Sequence, residues 1–331
     1  MKRALIIGID DYPTYPLGGC VNDASAIATT LRTNGDGSPN FSVRLITSNS
    51  DAVNAELMHD EITKLFASDA DTVLLYFAGH GIVVPETSSG YLVSQDGKKG
   101  TWGMSLGEVL NLANDAYPKI KSSVIVLDSC HSGYAGEIPG LGNSAVAAIG
   151  TGVTLLTSCD RNETASDDGG DGHGLFTSLL LDALSGSASD ICGNITPASV
   201  YAHIDQSLGG WDQRPIYKAN VKQFVRLRQV APKVPLEVLR RLPEYFPDAS
   251  TVFKLDPSFE PDRENVPEEF RSIPVNDDNV AVFKQLQMCN RHGLVVPVDA
   301  EHMYYAAIHS TGCRLTAIGA HYRRLALDER I

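Results

Sequence analysis

The sequence predicts an α/β protein whose main sheet is parallel and is covered by helices on both faces. Short, continuous apolar runs such as ALIIGI (residues 4–9) are typical of strands that are buried on both faces. Segments with apolar residues at helical spacing alternate with these runs, and this alternation favours a parallel sheet. Functional residues of such sheets lie beyond the carboxyl ends of the strands, so the points where apolar runs stop are the first to inspect.

The predicted elements follow one another along the first 230 residues. The strands are expected at 4–9, 41–47, 72–78, 122–128 and 152–158, with late edge strands at 214–219 and 222–228. The helices are expected at 20–35, 51–68, 105–115, 175–186 and 196–208. The first helix, for example, carries Val21, Ala24, Ile27, Ala28 and Leu31 at helical spacing and stops at Asn34-Gly35.

The composition changes near residue 230. Eight of the 17 prolines fall between Pro232 and Pro274, in a stretch with little regular pattern. We therefore expect an α/β domain over 1–230, a Pro-rich linker or wrapping segment over 231–275, and a small α+β domain over 276–331. The last of these contains helical patterns at 278–293 and 300–312 and ends in CRLTAIGAHYRRLALDERI, which weakly resembles the last strand and helix of winged-helix domains.

The net charge and the cysteine content restrict which partners, cellular locations and metal sites are expected for this protein. A net charge of -13 makes nucleic acid and anionic membranes poor partners and favours a basic substrate or partner. No apolar run is long enough for a transmembrane helix, and the N-terminus lacks the pattern of a signal peptide. The six cysteines show no CxxC or CxxH spacing, which argues against a zinc site and a disulfide framework and favours a reducing cytoplasm. We expect no cofactor.

Two strand ends carry residues typical of nucleophilic catalysis. The third strand ends in YFAGHG (76–81) and the fourth in LDSCHSG (127–133). Ends of neighbouring parallel strands lie about 5 Å apart, so His80 is expected to reach Cys130 and to act as its base. His131 is the poorer base, because adjacent side chains of a strand point to opposite faces. The amides of Gly81 and Cys130 are candidates for an oxyanion hole.

These motifs resemble the His and Cys motifs of caspase-like cysteine peptidases, specifically the metacaspase and bacterial caspase-homologue branch. The resemblance covers about residues 1–225 and includes RALIIGIDDY, GCVNDA and QRPIY. It implies a Cys–His endopeptidase on a caspase-type sheet of six mainly parallel strands. Bacterial relatives suggest a role in regulated cell death or defence.

Two aspartates are candidates for binding a side chain of the substrate. Asp128 lies two residues before Cys130, and Asp23 lies in the first turn of the first helix. Together they would form an anionic pocket for an Arg or Lys side chain, and the corresponding aspartates of metacaspases select a basic residue before the scissile bond. The alternative for Asp23 is a charge that stabilises the helix N-terminus. Cys20 is interpreted as a buried small residue or as a second thiol near the pocket.

Other interpretations remain open at this stage. Metacaspases often bind calcium, but only Asp96 matches a ligand here, so calcium activation is not expected. The C-terminal region carries 12 basic and 15 acidic residues, which favours a regulatory protein partner over DNA. Arg240-Arg241 is either a self-cleavage or inhibitory site or part of a short helix. A catalytically silent scaffold that recruits a partner through the C-terminal domain is the alternative function.

Overall fold

The structure is a computed structural model that describes residues 1–84, 89–129, 137–138, 146–147, 149–158, 172–209, 214–262 and 264–331. The chain divides into two compact units. The first is formed by Met1–Ser189 with Asn194–Val230, and the second by Asp190–Gly193 with Ala231–Ile331.

The first unit alternates strands with helices. Its strands are β1 (Lys2–Gly8), β2 (Ser42–Thr47), β3 (Thr72–Ala78), β4 (Gly81–Val84), β5 (Ser89–Lys98), β6 (Thr101–Ser105), β7 (Ser122–Asp128), β8 (Glu137–Ile138), β9 (Val146–Ala147), β10 (Val153–Thr157), β11 (Asn194–Ile195), β12 (Ile216–Asn220) and β13 (Arg228–Gln229). Its α-helices are α1 (Cys20–Arg32), α2 (Ala55–Phe66), α3 (Leu106–Asp115), α4 (Leu175–Asp182) and α5 (Pro197–Ser207). A short π-helix, Ala183–Ser187, follows α4.

The main sheet has six strands in the order β12-β10-β7-β3-β1-β2. All neighbouring pairs are parallel except β12 with β10, which is antiparallel and forms one edge. This arrangement confirms the predicted α/β fold with a mainly parallel six-stranded sheet. It also sets β3 directly beside β7, the two strands whose ends carry the predicted motifs.

Apolar residues cover both faces of this sheet. On β1, Leu5 and Ile7 join a core shared with α2 and α3, whereas Ala4 and Ile6 join a core shared with α1, α4 and α5. Successive side chains of a strand point to opposite faces of the sheet, so the residues of a continuous apolar run contribute in turn to the two cores.

Gly8 allows α1 to begin close to the carboxyl end of β1. A Cβ at Gly8 would collide with the Cys20 carbonyl oxygen and with the Ala24 side chain. The missing side chain therefore lets the first turn of α1, with Cys20 and Asp23, approach the end of the sheet.

Several short strands were not predicted, and two stretches differ most clearly from the sequence prediction. A three-stranded antiparallel sheet in the order β4-β5-β6 was not predicted; its runs are short and interrupted by glycine. The strand predicted over 222–228 was wrong, since only Arg228–Gln229 is paired, with β11. Val225 and Leu227 are buried and Phe224 is exposed. This segment packs on the core without joining the sheet, and its side chains alternate between buried and exposed as they would in a strand.

The second unit is an α+β structure with its own core. A three-stranded antiparallel sheet in the order β14-β16-β15 is formed by β14 (Val252–Lys254), β15 (Val295–Val298) and β16 (Gly312–Leu315). The helices are α6 (Leu236–Arg240), α7 (Leu242–Tyr245), α8 (Asp277–Arg291), α9 (Met303–Ile308) and α10 (Ala317–Leu327). Buried Phe246, Phe283 and Leu286 lie at the centre of this core.

The Pro-rich stretch contributes to the core of the second unit. Val238, Leu239 and Leu242 are buried there, which favours a wrapping segment over a free linker. Arg240 is exposed at the end of α6, and Arg241 contacts Glu244, Gln285 and the Tyr245 ring. The basic pair is thus held in a short helical segment. Throughout the described residues, no helix has the length and apolar character needed to cross a membrane.

The two-sided core gives a stability test. Ile6→Ala and Ile7→Ala each remove a fully buried side chain from a different face, so each should cost roughly 2–5 kcal/mol in the free energy of unfolding. Arg44→Ala on β2 is the exposed control. Urea unfolding followed by tryptophan fluorescence measures this, because both tryptophans, Trp102 and Trp211, belong to the first unit. A loss near zero at either isoleucine would mean that its face of the sheet is not covered.

Candidate active site

His80 lies just beyond the carboxyl end of β3, beside the end of β7. The parallel register pairs Ala78 with Asp128, and the Gly79 N–H donates to the Asp128 carbonyl at 3.3 Å. His80 and Cys130 are each two positions beyond this pair in the sequence. Cys130 and His131 themselves lie outside the described residues.

The His80 ring is oriented by a backbone carbonyl. Its Nε2 lies 2.6 Å from the Tyr15 carbonyl oxygen. A carbonyl oxygen only accepts hydrogen bonds, so Nε2 carries the proton, and in the neutral ring Nδ1 keeps its lone pair. Tyr15 adopts φ 61°, a left-handed conformation that is rare for a non-glycine residue. The turn at Tyr15 therefore adopts a rare conformation, and this conformation presents the carbonyl to His80. Because the carbonyl accepts from Nε2, the basic nitrogen of the ring is Nδ1.

Tyr12 supports the backbone of His80. The Val93 N–H donates to the His80 carbonyl at 2.9 Å, as in an antiparallel ladder. The second hydrogen bond of such a pair, from the His80 N–H to the Val93 carbonyl, is replaced by a bridge through the Tyr12 hydroxyl. The hydroxyl accepts from the His80 N–H at 3.0 Å and donates to the Val93 carbonyl at 3.1 Å. The Tyr12 ring also lies 4.6 Å from the His80 ring, and a side chain at Gly79 would collide with the hydroxyl.

The same ladder sets the direction of the Gly81 amide. Gly81 pairs with Leu92, the position next to the hydrogen-bonded His80–Val93 pair. Hydrogen-bonded and non-bonded pairs alternate in antiparallel strands, so the Gly81 N–H points away from β5. It is therefore a backbone donor adjacent to His80 that β5 does not use.

Asp10 holds the N-terminus of α1. Its carboxylate accepts from the N–H groups of Gly19 and Cys20 through Oδ1, at 3.1 and 2.8 Å, and from Val21 through Oδ2 at 3.1 Å. These amides have no partner within the helix, and a negative charge is favourable there. Asp10 follows the first apolar run directly, so the rule of inspecting strand ends would have identified it.

Asp23 is buried and contacts the segment before α4. Its side chain is only 5% exposed; Oδ1 lies 2.6 Å from His173 Nδ1, and Oδ2 accepts from the Gly174 N–H at 3.4 Å. Burial raises the pKa of Asp23, and the hydrogen bond from His173 opposes that shift. Nothing in the sequence pointed to His173, which lies 150 residues away.

Asp128 is held by α4 itself. Its Oδ2 accepts from the Thr177 hydroxyl at 2.7 Å, and the Thr177 oxygen lies 2.7 Å from the hydroxyl of the fully buried Tyr76. Thr177 is the third residue of α4, and Gly174 is its N-cap. The first turn of α4 therefore contacts both predicted aspartates.

The Cys20 thiol marks where the acidic residues converge. Burial raises the pKa of Cys20, and the negative charges of Asp10, Asp128 and Asp23 raise it further. Asp128 and Asp23 likewise add to the effect of burial in raising the pKa of Tyr76. Both predicted substrate-binding aspartates thus contribute negative charge in the neighbourhood of the Cys20 thiol.

Other candidate sites lie elsewhere. Asp96 accepts from the Ala55 N–H at 3.0 Å and from the Ser94 hydroxyl at 2.7 Å, next to the start of α2. The described residues contain no cluster of three or more metal-binding side chains. A cavity of about 690 Å³ lies beside β4 and is lined mainly by apolar residues, including Ile82, Val84 and Trp102, with none of the predicted site residues among them.

Several known proteins are similar to this chain in sequence or structure. The family model for the caspase domain matches residues 1–225. A solved protein from Geobacter sulfurreducens is 20% identical, with 70% of this chain and 97% of that chain covered and a TM-score of 0.49. Caspase-1 from Spodoptera frugiperda is 12% identical, with 69% and 90% covered and a TM-score of 0.49. No curated protein matches the chain. Because the family model spans most of its length, the chain belongs to the caspase-domain family of cysteine peptidases.

Proposed function

We propose that this protein is a cysteine endopeptidase that cleaves protein substrates after Arg or Lys, with Cys130 as nucleophile and His80 as base. The observation that carries the proposal is the hydrogen bond from His80 Nε2 to the Tyr15 carbonyl. It leaves the lone pair on Nδ1, at the end of the strand next to the one that leads to Cys130. A metacaspase-type role in regulated cell death or defence, in the cytoplasm, is proposed from the family resemblance alone.

The chemistry follows from these positions. His80 Nδ1 takes the thiol proton, and the Cys130 thiolate attacks the carbonyl carbon of the substrate. The N–H groups of Gly81 and Cys130 stabilise the resulting oxyanion. Imidazolium returns the proton to the leaving amine as the C–N bond breaks, which leaves a thioester. His80 then deprotonates a water molecule, which hydrolyses the thioester and regenerates the thiol.

The acidic residues support selection of a basic side chain. Asp128 is two residues from Cys130 in the chain, so their Cα atoms lie within about 7 Å of each other. Asp23 shares the surroundings of Cys20 with Asp128. A guanidinium or ammonium group bound before the scissile bond would meet negative charge there and form charge-assisted hydrogen bonds. In this structure His173 contacts Asp23, so an incoming cation would share or replace that contact.

The dyad gives the first functional prediction. Cys130→Ala should abolish hydrolysis of a fluorogenic Arg peptide, and His80→Ala should slow it on the order of 10³-fold or more, since the two residues act as one unit. His131→Ala should cost far less. Inactive His131→Ala with active His80→Ala would show that the base is misassigned, and wild type no faster than Cys130→Ala would favour the silent scaffold.

The second prediction concerns specificity. Asp128→Asn or Asp23→Asn should leave the substrate cation without its charge partner and cost roughly 3–5 kcal/mol in transition-state stabilisation for Arg peptides. The measurement is kcat/KM for peptides that differ only in Arg, Lys or Asp before the scissile bond. Preference of the wild type for Asp would contradict the anionic pocket.

Tyr12 provides the third prediction. Tyr12→Phe leaves the His80 N–H and the Val93 carbonyl without the bridging hydroxyl, at about 1–3 kcal/mol for each unsatisfied group. We expect kcat to fall about tenfold with little change in KM, because the base is displaced rather than the pocket. Tyr322→Phe is the matched control: its hydroxyl also accepts a backbone N–H, from Ile191, but in the second unit. Equal kcat for the two variants would mean that Tyr12 does not position His80.

A further inference from the structure

A chain of three side chains connects the buried core to Asp128. Tyr76 is fully buried on β3, Thr177 is fully buried on α4, and Asp128 is half-buried at the end of β7. The distances are 2.7 Å from Tyr76 Oη to Thr177 Oγ1 and 2.7 Å from Thr177 Oγ1 to Asp128 Oδ2. The three elements are far apart in sequence, and only the fold brings them together.

The direction of the hydrogen bonds follows from counting protons. An ionised carboxylate only accepts, so the single Thr177 proton goes to Asp128. The Thr177 oxygen must then accept from Tyr76, whose hydroxyl keeps its proton in this buried, negatively charged surrounding. Each donor is polarised by the next bond, which strengthens both bonds in a site that excludes water.

We propose that Thr177 and Tyr76 form a hydrogen-bond relay that fixes the Asp128 carboxylate in the orientation that binds the basic side chain of the substrate. The inference rests on the proposed cleavage after Arg or Lys. Thr177 and Tyr76 are positioning residues: they act through Asp128 and need not touch the substrate.

Two features support this role. The Thr177 hydroxyl donates to one defined carboxylate oxygen, Oδ2, and adds no positive charge of its own, whereas a lysine or arginine in the same place would oppose a substrate cation. Thr177 is also in the first turn of α4, where the helix dipole favours a carboxylate. The relay thus holds Asp128 Oδ2 from the side of the buried core.

The test uses the full chain and two readouts. One is binding of benzamidine, a cation that resembles an Arg side chain, measured by calorimetry. The other is kcat/KM for a peptide with Arg before the scissile bond and for its citrulline analogue, which has the same shape without the charge. The variants are Thr177→Val, Thr177→Ser, Tyr76→Phe and the Thr177→Val/Tyr76→Phe pair. Thr154→Val, a threonine equally buried on β10, is the matched control.

We expect Thr177→Val to weaken benzamidine binding and Arg cleavage about tenfold, the scale of a hydrogen bond to a charged group. Citrulline cleavage should change little, and Thr177→Ser should restore Arg cleavage. Tyr76→Phe should give a smaller loss, and the double variant should be no worse than Thr177→Val, because both residues act through one chain. Thr177→Ser and Tyr76→Phe keep the proposal testable where Thr177→Val does not fold.

Several outcomes would overturn the relay. If Thr177→Val had the same benzamidine affinity and kcat/KM as Thr154→Val, Thr177 would have only a structural role. The same conclusion would follow if Thr177→Val lost cleavage of the Arg and citrulline peptides equally. Wild type that binds benzamidine but cleaves neither peptide would overturn the proposed peptidase, while the binding series would still decide the relay. Wild type that neither binds nor cleaves would overturn the cation pocket and the relay with it.

Discussion

The parallel pairing of β3 with β7 is the interaction on which the candidate site depends. Because Ala78 lies opposite Asp128, two chain segments that are 50 residues apart end at the same level of the sheet. Each strand is buried on both faces, so a shift in register would move apolar side chains out of two cores at once. The position of His80 relative to the segment that leads to Cys130 is therefore fixed by core packing as well as by local contacts.

A second constraint is the first turn of α4, which joins acidic residues from separate parts of the chain. Gly174 and Thr177 donate to Asp23 and Asp128, respectively. α1 supplies one carboxylate and β7 the other, while Asp10 holds the start of α1 with three backbone amides. Moving α4 would thus disturb both carboxylates, which couples the proposed substrate pocket to the helix layer on that face of the sheet.

The sequence predicted the strands of the main sheet and the approximate places of His80, Asp23 and Asp128. Continuous apolar runs indicate strands that are buried on both faces, and the residues that follow these runs lie at the carboxyl ends of the strands, where functional residues are expected. The sequence could not predict the sheet formed by β4, β5 and β6, because the apolar runs of these strands are short and lie among glycine and polar residues. It also missed Tyr12, His173 and Thr177. These residues act through contacts that span 49 to 150 positions, and no local pattern encodes such a distance. The sequence could propose the Gly81 amide as a donor, but the direction of its N–H follows from ladder alternation, which requires the register of β4 with β5.

The way each carboxylate is held bears on how this edge of the sheet would discriminate between substrates. Asp10 accepts hydrogen bonds from backbone amides and Asp128 accepts one from the Thr177 hydroxyl, and donors of this kind favour the ionised form of a carboxylate. Asp23 differs, because its partner His173 becomes cationic when protonated. The Thr177 hydroxyl thus adds no charge beside Asp128, whereas the group beside Asp23 is an imidazole. In the proposed pocket, a substrate cation would therefore reach Asp23 by sharing or replacing the His173 contact.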